Sequence, residues 1–397
     1  MTEYLLNLAT KKLPIITFAL YTKLMKIKII SSAYPLRGGI SHFTGLLFKE
    51  LKKNHDLEVI TFKRQYPKLF FPGKSQTEAE NEIEKIDTKI LVDSINPLNW
   101  LMLGNKIKKE KPDLIIFKYW MPFFAPCFGT ISRIAKKNKT TKVLVICDNI
   151  IPHEKKVGDI ALTRYFFSVV DYFILMSETV KRDLIKIKKD AKYKLLFHPI
   201  YSNFGELIDK QAAKEKLGIK SEKNILFFGF IRKYKGLDIL LKAVALLKDK
   251  IDLNLIVAGE FYEDENKYLS LIKQLDIEKK VTLHNDFIPT ADVKYYFSAA
   301  DVVVLPYKDA TQSGIVQIAN NFNKPVIATK VGGLTEMIED GKTGFLIEKE
   351  NPEQLADTII RFYEENKEFE FTQNIKAEVE KYSWQKFTAE MMEILKN

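Results

Sequence analysis

The chain has 397 residues, 46% of them hydrophobic and 28% charged, and a formal net charge of +11. That length exceeds one ordinary core and suits two domains, and the composition excludes a disordered chain. Two cysteines, Cys127 and Cys147, are too few for a disulfide framework, and no uncharged run approaches a membrane span, so a reducing cytoplasm is the expected compartment.

Residues 1–24 fit no sheet order and read either as a misassigned start or as a short amphipathic arm ahead of Met25. From there short apolar runs alternate with amphipathic segments. The predicted strands of the first half are Ile27–Ser32, Leu57–Phe62, Ile90–Asp93, Leu114–Tyr119, Val143–Cys147, Tyr172–Met176 and Lys194–Phe197. Those of the second half are Ile225–Phe230, Leu253–Ala258, Val281–His284, Val302–Pro306, Val326–Thr329 and Phe345–Ile347. Helical spacing between them, as in Gly236–Lys248 and Tyr268–Leu275, implies right-handed crossovers and parallel sheets. The expected architecture is α/β, two doubly wound Rossmann-like domains with a cleft between them. The expected boundaries are 25–203 and 204–378, the linker being His198–Phe204, and a last segment, 379–397, carries a helix that Ser383 caps.

Charge is unevenly placed. Residues 1–200 hold 35 Lys and Arg against 19 Asp and Glu, or +16, and the remainder holds 27 against 32, or −5. A basic first half suits an anionic surface such as a membrane, and a Lys-rich solvated surface gives the same count. Lys118–Lys142 and Arg164–Val170 mix aromatic residues with cations, as interfacial helices do and as buried cores also do.

Metal-ligand spacings, the nucleophile-elbow G-x-S-x-G, the Walker loop and the dinucleotide G-x-G-x-x-G are absent from the sequence. Five polar turns, four of them glycine-bearing, follow predicted strands instead. Gly38-Gly39 follows the first. Cys147-Asp148-Asn149-Ile-Ile-Pro152-His153-Glu154 ends the fifth. Gly229-Phe-Ile-Arg232-Lys-Tyr-Lys235-Gly236 opens the second half. The fourth, Gln312-Ser313-Gly314, precedes a helix, and Gly332-Gly333 with Glu336 begins another. A strand, a small polar turn and a helix N-terminus make a pocket of free backbone N–H groups that holds phosphate.

The order of these pieces resembles the retaining glycosyltransferases of the GT-B fold, family four, from residue 25 onward. The resemblance implies a metal-independent hexosyltransferase without a cofactor. It would move a sugar from a nucleotide diphosphate donor, UDP- or GDP-linked, to a hydroxyl of a glycan, lipid-linked or surface-polysaccharide precursor. It implies that Gly38, Gly39, Arg232, Lys235, Gln312, Ser313, Gly314 and Glu336 bind the donor, and that Asp148, Asn149 and His153 serve the reacting centre. Lys235-Gly236 matches the family's Lys-Gly; the family's Arg position holds Phe230, with Arg232 two residues on. The pattern H-N-x-x-P-H-E is met at Asn149, Pro152, His153 and Glu154, with Asp148 in place of its first His. Counted forward from Gly314 the family's glutamate pair falls on Thr311 and Ala319, and counted back from Pro325 on Ala310 and Ile318; Asp309 and Gln317 have the spacing but lie off register, so those roles are not carried over. A nucleotide-sugar epimerase of the same architecture and a binding homologue without turnover remain alternatives. The partners expected are the donor, the acceptor and an anionic inner membrane face; no RNA-reading motif accompanies the charge.

Overall fold

A computed structural model of the chain describes residues 24–67, 75–77, 86–152, 156–311 and 313–396. Of the expected site residues, Gln312 and His153 lie outside the described residues, as does the stretch 1–23. The strands of the first domain are β1 (Lys26–Ile30), β2 (Asp56–Arg64), β3 (Thr88–Asp93), β4 (Leu114–Tyr119), β5 (Lys142–Cys147), β6 (Tyr172–Leu175) and β7 (Tyr193–Leu195). Those of the second are β8 (Lys223–Phe228), β9 (Leu253–Ala258), β10 (Val281–His284), β11 (Val302–Leu305), β12 (Val326–Thr329) and β13 (Gly344–Ile347). The first sheet has the order β3-β2-β1-β4-β5-β6-β7 and the second β10-β9-β8-β11-β12-β13. Every strand pairing in both is parallel.

Apolar runs without alternation form these strands because helices cover both faces of each sheet. All six residues of β4 are buried. Leu114 and Ile116 point into the apolar cluster that holds Phe43 and Leu47 of the helix Gly39–Lys52. Ile115, Phe117 and Tyr119 point the other way, into the cluster beneath the helices Pro97–Glu110, Ala125–Ala135 and Asp159–Phe167. The order in which successive strands are added reverses between β1 and β4 in the first sheet and between β8 and β11 in the second, while every strand keeps the same direction. Such switch points open a crevice at the carboxyl ends of the strands. The turns after β1, β5, β8 and β11 all lie at those ends.

Two covalent crossings join the domains. The stretch between β7 and the helix Lys210–Leu217 contributes Tyr201 and Phe204 to a core cluster that runs on into Phe228 and Val303 of the second domain. The chain returns through the helix Trp384–Glu393, where the Ser383 hydroxyl accepts from Lys386 N–H as an N-cap. Trp384 fixes this crossing: its indole N–H donates to Ile200 O at 2.8 Å, and its ring meets Phe43 edge-on at 4.9 Å. No helix among the described residues is long and apolar enough to cross a membrane.

Trp384→Ala removes that ring from a site where it is 8% exposed. Truncation of a buried Trp costs about 3–5 kcal/mol. Urea unfolding of the full chain should show a loss of that size in the first domain's transition; a loss below about 1 kcal/mol would show that other contacts hold the crossing helix.

Candidate functional site

The two switch points face one another across a cavity of 370 Å³. Six of the sequence-predicted site residues line it: Gly38, Gly39, Asp148, Lys235, Ser313 and Gly314. Gly38, at φ 105°, ends the turn after β1 and precedes the helix Gly39–Lys52 as its N-cap residue. Gly314 opens the helix Gly314–Asn321 from the other domain, and Ser313 makes no side-chain capping bond there. The first N–H groups of a helix have no partner within it and carry the positive end of its dipole. Tyr201 stands between the two helix ends, its hydroxyl donating to Gly39 O at 3.2 Å.

Lys235 supplies the formal positive charge. It ends a short 3-10 turn after β8, and Gly236 follows at φ 71°. A Cβ on Gly236 would lie 2.0 Å from Pro306 O, so only glycine lets the β8 turn close onto the β11 turn. That closure buries Lys235, 8% exposed, in the cavity wall. Among the described residues no carboxylate lies in salt-bridge range of its ammonium, and the Tyr307 ring is 5.8 Å away. Burial, helped by the charge of Arg232, lowers its pKa to about 7.

The first-domain wall is built from a buried ion pair. Lys118 of β4 reaches Asp148, which follows β5, with Nζ 2.6 Å from Oδ1. His198 also lines the cavity; its Nδ1 lies 2.8 Å from Pro199 O and takes the donor role there. Burial and the nearby Lys118 charge lower the His198 pKa to about 3, so the ring is neutral. His42, on the first helix, is likewise lowered by burial, to about 4.

Other expected site residues stand elsewhere. Arg232 is exposed, its guanidinium 4.8 Å from the Tyr262 ring centre, and does not line the cavity. The arginine at the cleft is Arg37 of the first domain. It bonds Glu260, after β9, at 2.5 Å and lies 4.4 Å over the Phe287 ring. Both side chains of that pair are nearly inaccessible, at 6% and 3% exposure. Glu336 also leaves the cavity: its carboxylate accepts from the N–H of Glu178 at 3.0 and 3.1 Å, capping the first-domain helix Glu178–Ile187 across the interface. Burial raises its pKa above the ordinary carboxylate value. Asn149 is half-buried outside the cavity, and among the described residues its Oδ1 has no hydrogen-bond partner.

Gly332-Gly333 does not build a second anion pocket. The helix after it is only Leu334–Met337, and Gly333 N–H already donates to Thr311 O. A Cβ on Gly332 would fall 1.5 Å from Ala310 O, so the glycines serve close backbone approach instead. Sequence reasoning passed over Glu260, Lys118, Tyr201 and His198. For Lys118 a signal was present, a lysine inside an unbroken apolar strand; for Glu260 it was an acid directly after a strand-ending glycine.

Residues 209–382 match the family model described as glycosyl transferases group 1. A D-inositol 3-phosphate glycosyltransferase of an Arthrobacter strain is 32% identical over 158 residues, which are 38% of this chain and 37% of that relative. This chain therefore spans little more than a third of that relative's length in the match. An uncharacterized glycosyltransferase of Methanocaldococcus jannaschii is 26% identical over 403 residues, 94% of this chain and 98% of the relative. Among solved structures, HepE of Anabaena in complex with UDP covers 93% of this chain and 100% of its own, with a TM-score of 0.73 and 17% identity. That likeness shows the fold.

Lys235 gives the cavity a testable pH signature. Its free pKa is lowered to about 7, so above that pH the empty site holds a neutral amine. A bound diphosphate favours the ammonium and raises the pKa, so binding takes up a proton. Affinity for a nucleoside diphosphate should fall from pH 7 to 9, by up to about tenfold per pH unit, where phosphate ionisation near 6 is already complete. Calorimetry in buffers of different ionisation enthalpy should detect the proton uptake. Lys235→Met should abolish the slope; an unchanged slope would place the titrating group elsewhere.

Proposed function

Because the second domain matches the group 1 glycosyl transferases and the chain has the GT-B fold, we propose a retaining glycosyltransferase. It takes a hexose from UDP or GDP and passes it to a hydroxyl of a glycan, lipid-linked or surface-polysaccharide precursor. The observation that carries this reading is a buried lysine, without a carboxylate in salt-bridge range among the described residues, lining one cavity with two helix N-termini from opposite domains. Such a site suits a leaving diphosphate whose charge grows as the glycosidic bond breaks. No metal is required, since Lys235 and the amide groups of Gly39, Gly314 and their neighbours neutralise that charge.

Retention follows from a front-face route. The bond from the anomeric carbon to the phosphate oxygen breaks, the acceptor oxygen bonds to the same face, and its proton passes to the departing phosphate. The cavity's two carboxylates, Asp148 and Glu260, are each paired with a buried cation, which disfavours a covalent sugar–carboxylate intermediate. A second reading, binding without turnover, is favoured by one observation: Thr311 and Ala319 stand where the family's carboxylates belong. The off-register Asp309 is exposed and Gln317 is fully buried, so they do not replace that pair.

The test is thermal stabilisation by UDP, GDP, ADP and their sugars, since ligands of the folded state raise the transition. Transfer should then be measured in Lys235→Ala. Loss of a charge-assisted contact worth about 1.5–3 kcal/mol should lower kcat/KM roughly ten- to a hundredfold. Undiminished transfer in that variant would sink the phosphate assignment. Stabilisation without turnover of any nucleotide-sugar would favour the binding homologue.

The same reading sets the chain in the cytoplasm on the inner membrane face. The aromatic–basic stretch Lys118–Lys142 is largely core and Arg164–Val170 buries Phe166, Phe167 and Val170, and exposed apolar side chains stand beside them. Leu98 is 70% and Met102 73% exposed on the helix Pro97–Glu110, and Val157 is fully exposed ahead of Asp159–Phe167. Both helices start at the carboxyl edge of the first sheet, where the cavity lies, and carry exposed Lys106, Lys109 and Arg164. Vesicle binding should require anionic headgroups, weaken with salt and drop in Leu98→Asp/Met102→Asp. Equal binding to neutral vesicles, or none, would leave these residues as ordinary surface.

A further inference from the structure

Lys118 poses a problem that the phosphate site does not solve. It lies in β4, buried along its whole length, with 4% of its side chain exposed. Lysines are almost never this buried unless paired. Its alternation with Leu114 and Ile116 turns it toward the helix Gly39–Lys52, and its ammonium lies 3.3 Å from the Phe43 ring centre. Burial lowers its pKa, and the charge of Asp148 opposes that.

Stability is a poor explanation for such a pair. Taking an ammonium and a carboxylate out of water costs several kcal/mol per ion, and apolar replacements of similar volume are often as stable. What the pair does uniquely is fix one group at one place. Asp148 N–H donates to Tyr119 O at 2.8 Å, extending the β4–β5 ladder by one residue, so the backbone of Asp148 is held by the sheet. The ion pair with Lys118 then holds its side chain. Asp148 lines the cavity opposite the second-domain turn that carries Lys235.

Resting on the transferase reading, we propose that Lys118 is a positioning residue: it holds the Asp148 carboxylate on the first-domain wall, beside the donor's sugar. With the diphosphate on Lys235 and the two helix ends, the sugar extends toward that wall. The carboxylate accepts hydrogen bonds from sugar hydroxyls and faces the positive charge that develops at the anomeric carbon. Tyr201 and His198 complete the wall. The Tyr201 phenol is held protonated by burial and by the Asp148 charge, and His198 is kept neutral, with Lys118 contributing. Asp148 is thus the anion at this end of the cavity, and Lys118 the cation that faces it from β4.

Lys118→Met, Lys118→Arg, Asp148→Asn and the double variant Lys118→Met/Asp148→Asn test this. Lys118→Met should keep its affinity for the nucleoside diphosphate and lose roughly ten- to a hundredfold in kcat. Its rate should gain an acid-side limb absent from the parent, because the carboxylate loses its cation and protonates at higher pH. Lys118→Arg should restore part of the rate without that limb. The double variant should match Asp148→Asn, with no further loss. The affinity ratio of nucleotide-sugar to nucleotide should fall in Lys118→Met, and this readout needs no turnover. If the parent binds nucleotide-sugars without transferring them, the transferase reading fails while that ratio still decides the role of Lys118. An unchanged kcat, pH profile and affinity ratio in Lys118→Met would overturn the proposal. So would losses that multiply in the double variant, since Lys118 would then act independently of Asp148. If Lys118→Met fails to fold, the double variant, which leaves no unpaired charge, carries the comparison with Asp148→Asn. Absence of nucleotide binding by the parent would overturn both readings.

Discussion

A lysine ammonium buried without a carboxylate beside it is unfavourable in the empty protein, and the second domain is arranged to hold one there. Lys235 is forced into the wall by Gly236, whose missing Cβ lets the β8 turn close onto the β11 turn. The protein meets the cost by letting the amine release its proton near neutral pH. In the proposed reading, an arriving diphosphate reverses that by supplying a counter-charge. Two helix N-termini, one from each domain, add partial positive charge without adding another cation to bury. Such a site suits a dianion, whose binding would favour the ammonium form of Lys235.

Parallel sheets make this possible because they deliver every turn at one edge. Bringing two such edges together requires ties that leave the cavity open between them. Arg37 and Glu260 form one tie, an ion pair closed over by the Phe287 ring. Glu336 forms another by capping the helix Glu178–Ile187 of the opposite domain. Trp384 anchors the returning helix to the linker at Ile200. Arg37 to Glu260 and Glu336 to Glu178 are non-covalent, so opening the cleft for a ligand means breaking them and pivoting on the linker and the returning helix. The buried Lys118–Asp148 pair lies wholly within the first domain, and its geometry survives such a motion.

The fold was legible because both-face burial writes itself as unbroken apolar runs, and each expected strand is present with its ends shifted by no more than two residues. The place of Lys235 in the cavity wall was legible because a cation bracketed by glycines between strand and helix stands at the sheet's carboxyl edge. Pairings across the cleft were not. Arg37 and Glu260 are 223 residues apart, and nothing local marks either as the other's partner. Glu336 shows a different limit. An acid in a helix's first turn fits a ligand contact or a dipole contact equally, and here it caps a helix from the other domain. Gly332-Gly333 failed for a similar reason, since glycines that admit a ligand and glycines that admit neighbouring backbone look alike in sequence. Arg232 carried the right charge on the right turn, yet it stays outside on Tyr262 while an arginine from the other domain holds the cleft.

The central claim is that Lys235 and the two helix ends form one diphosphate site. Crystals grown with a nucleoside diphosphate test it most directly. The terminal phosphate should lie within about 3 Å of Lys235 Nζ, with backbone N–H groups at Gly39 and at Gly314 or Ile315 donating to it. A diphosphate bound elsewhere, or one that leaves Lys235 without a phosphate contact, would contradict it.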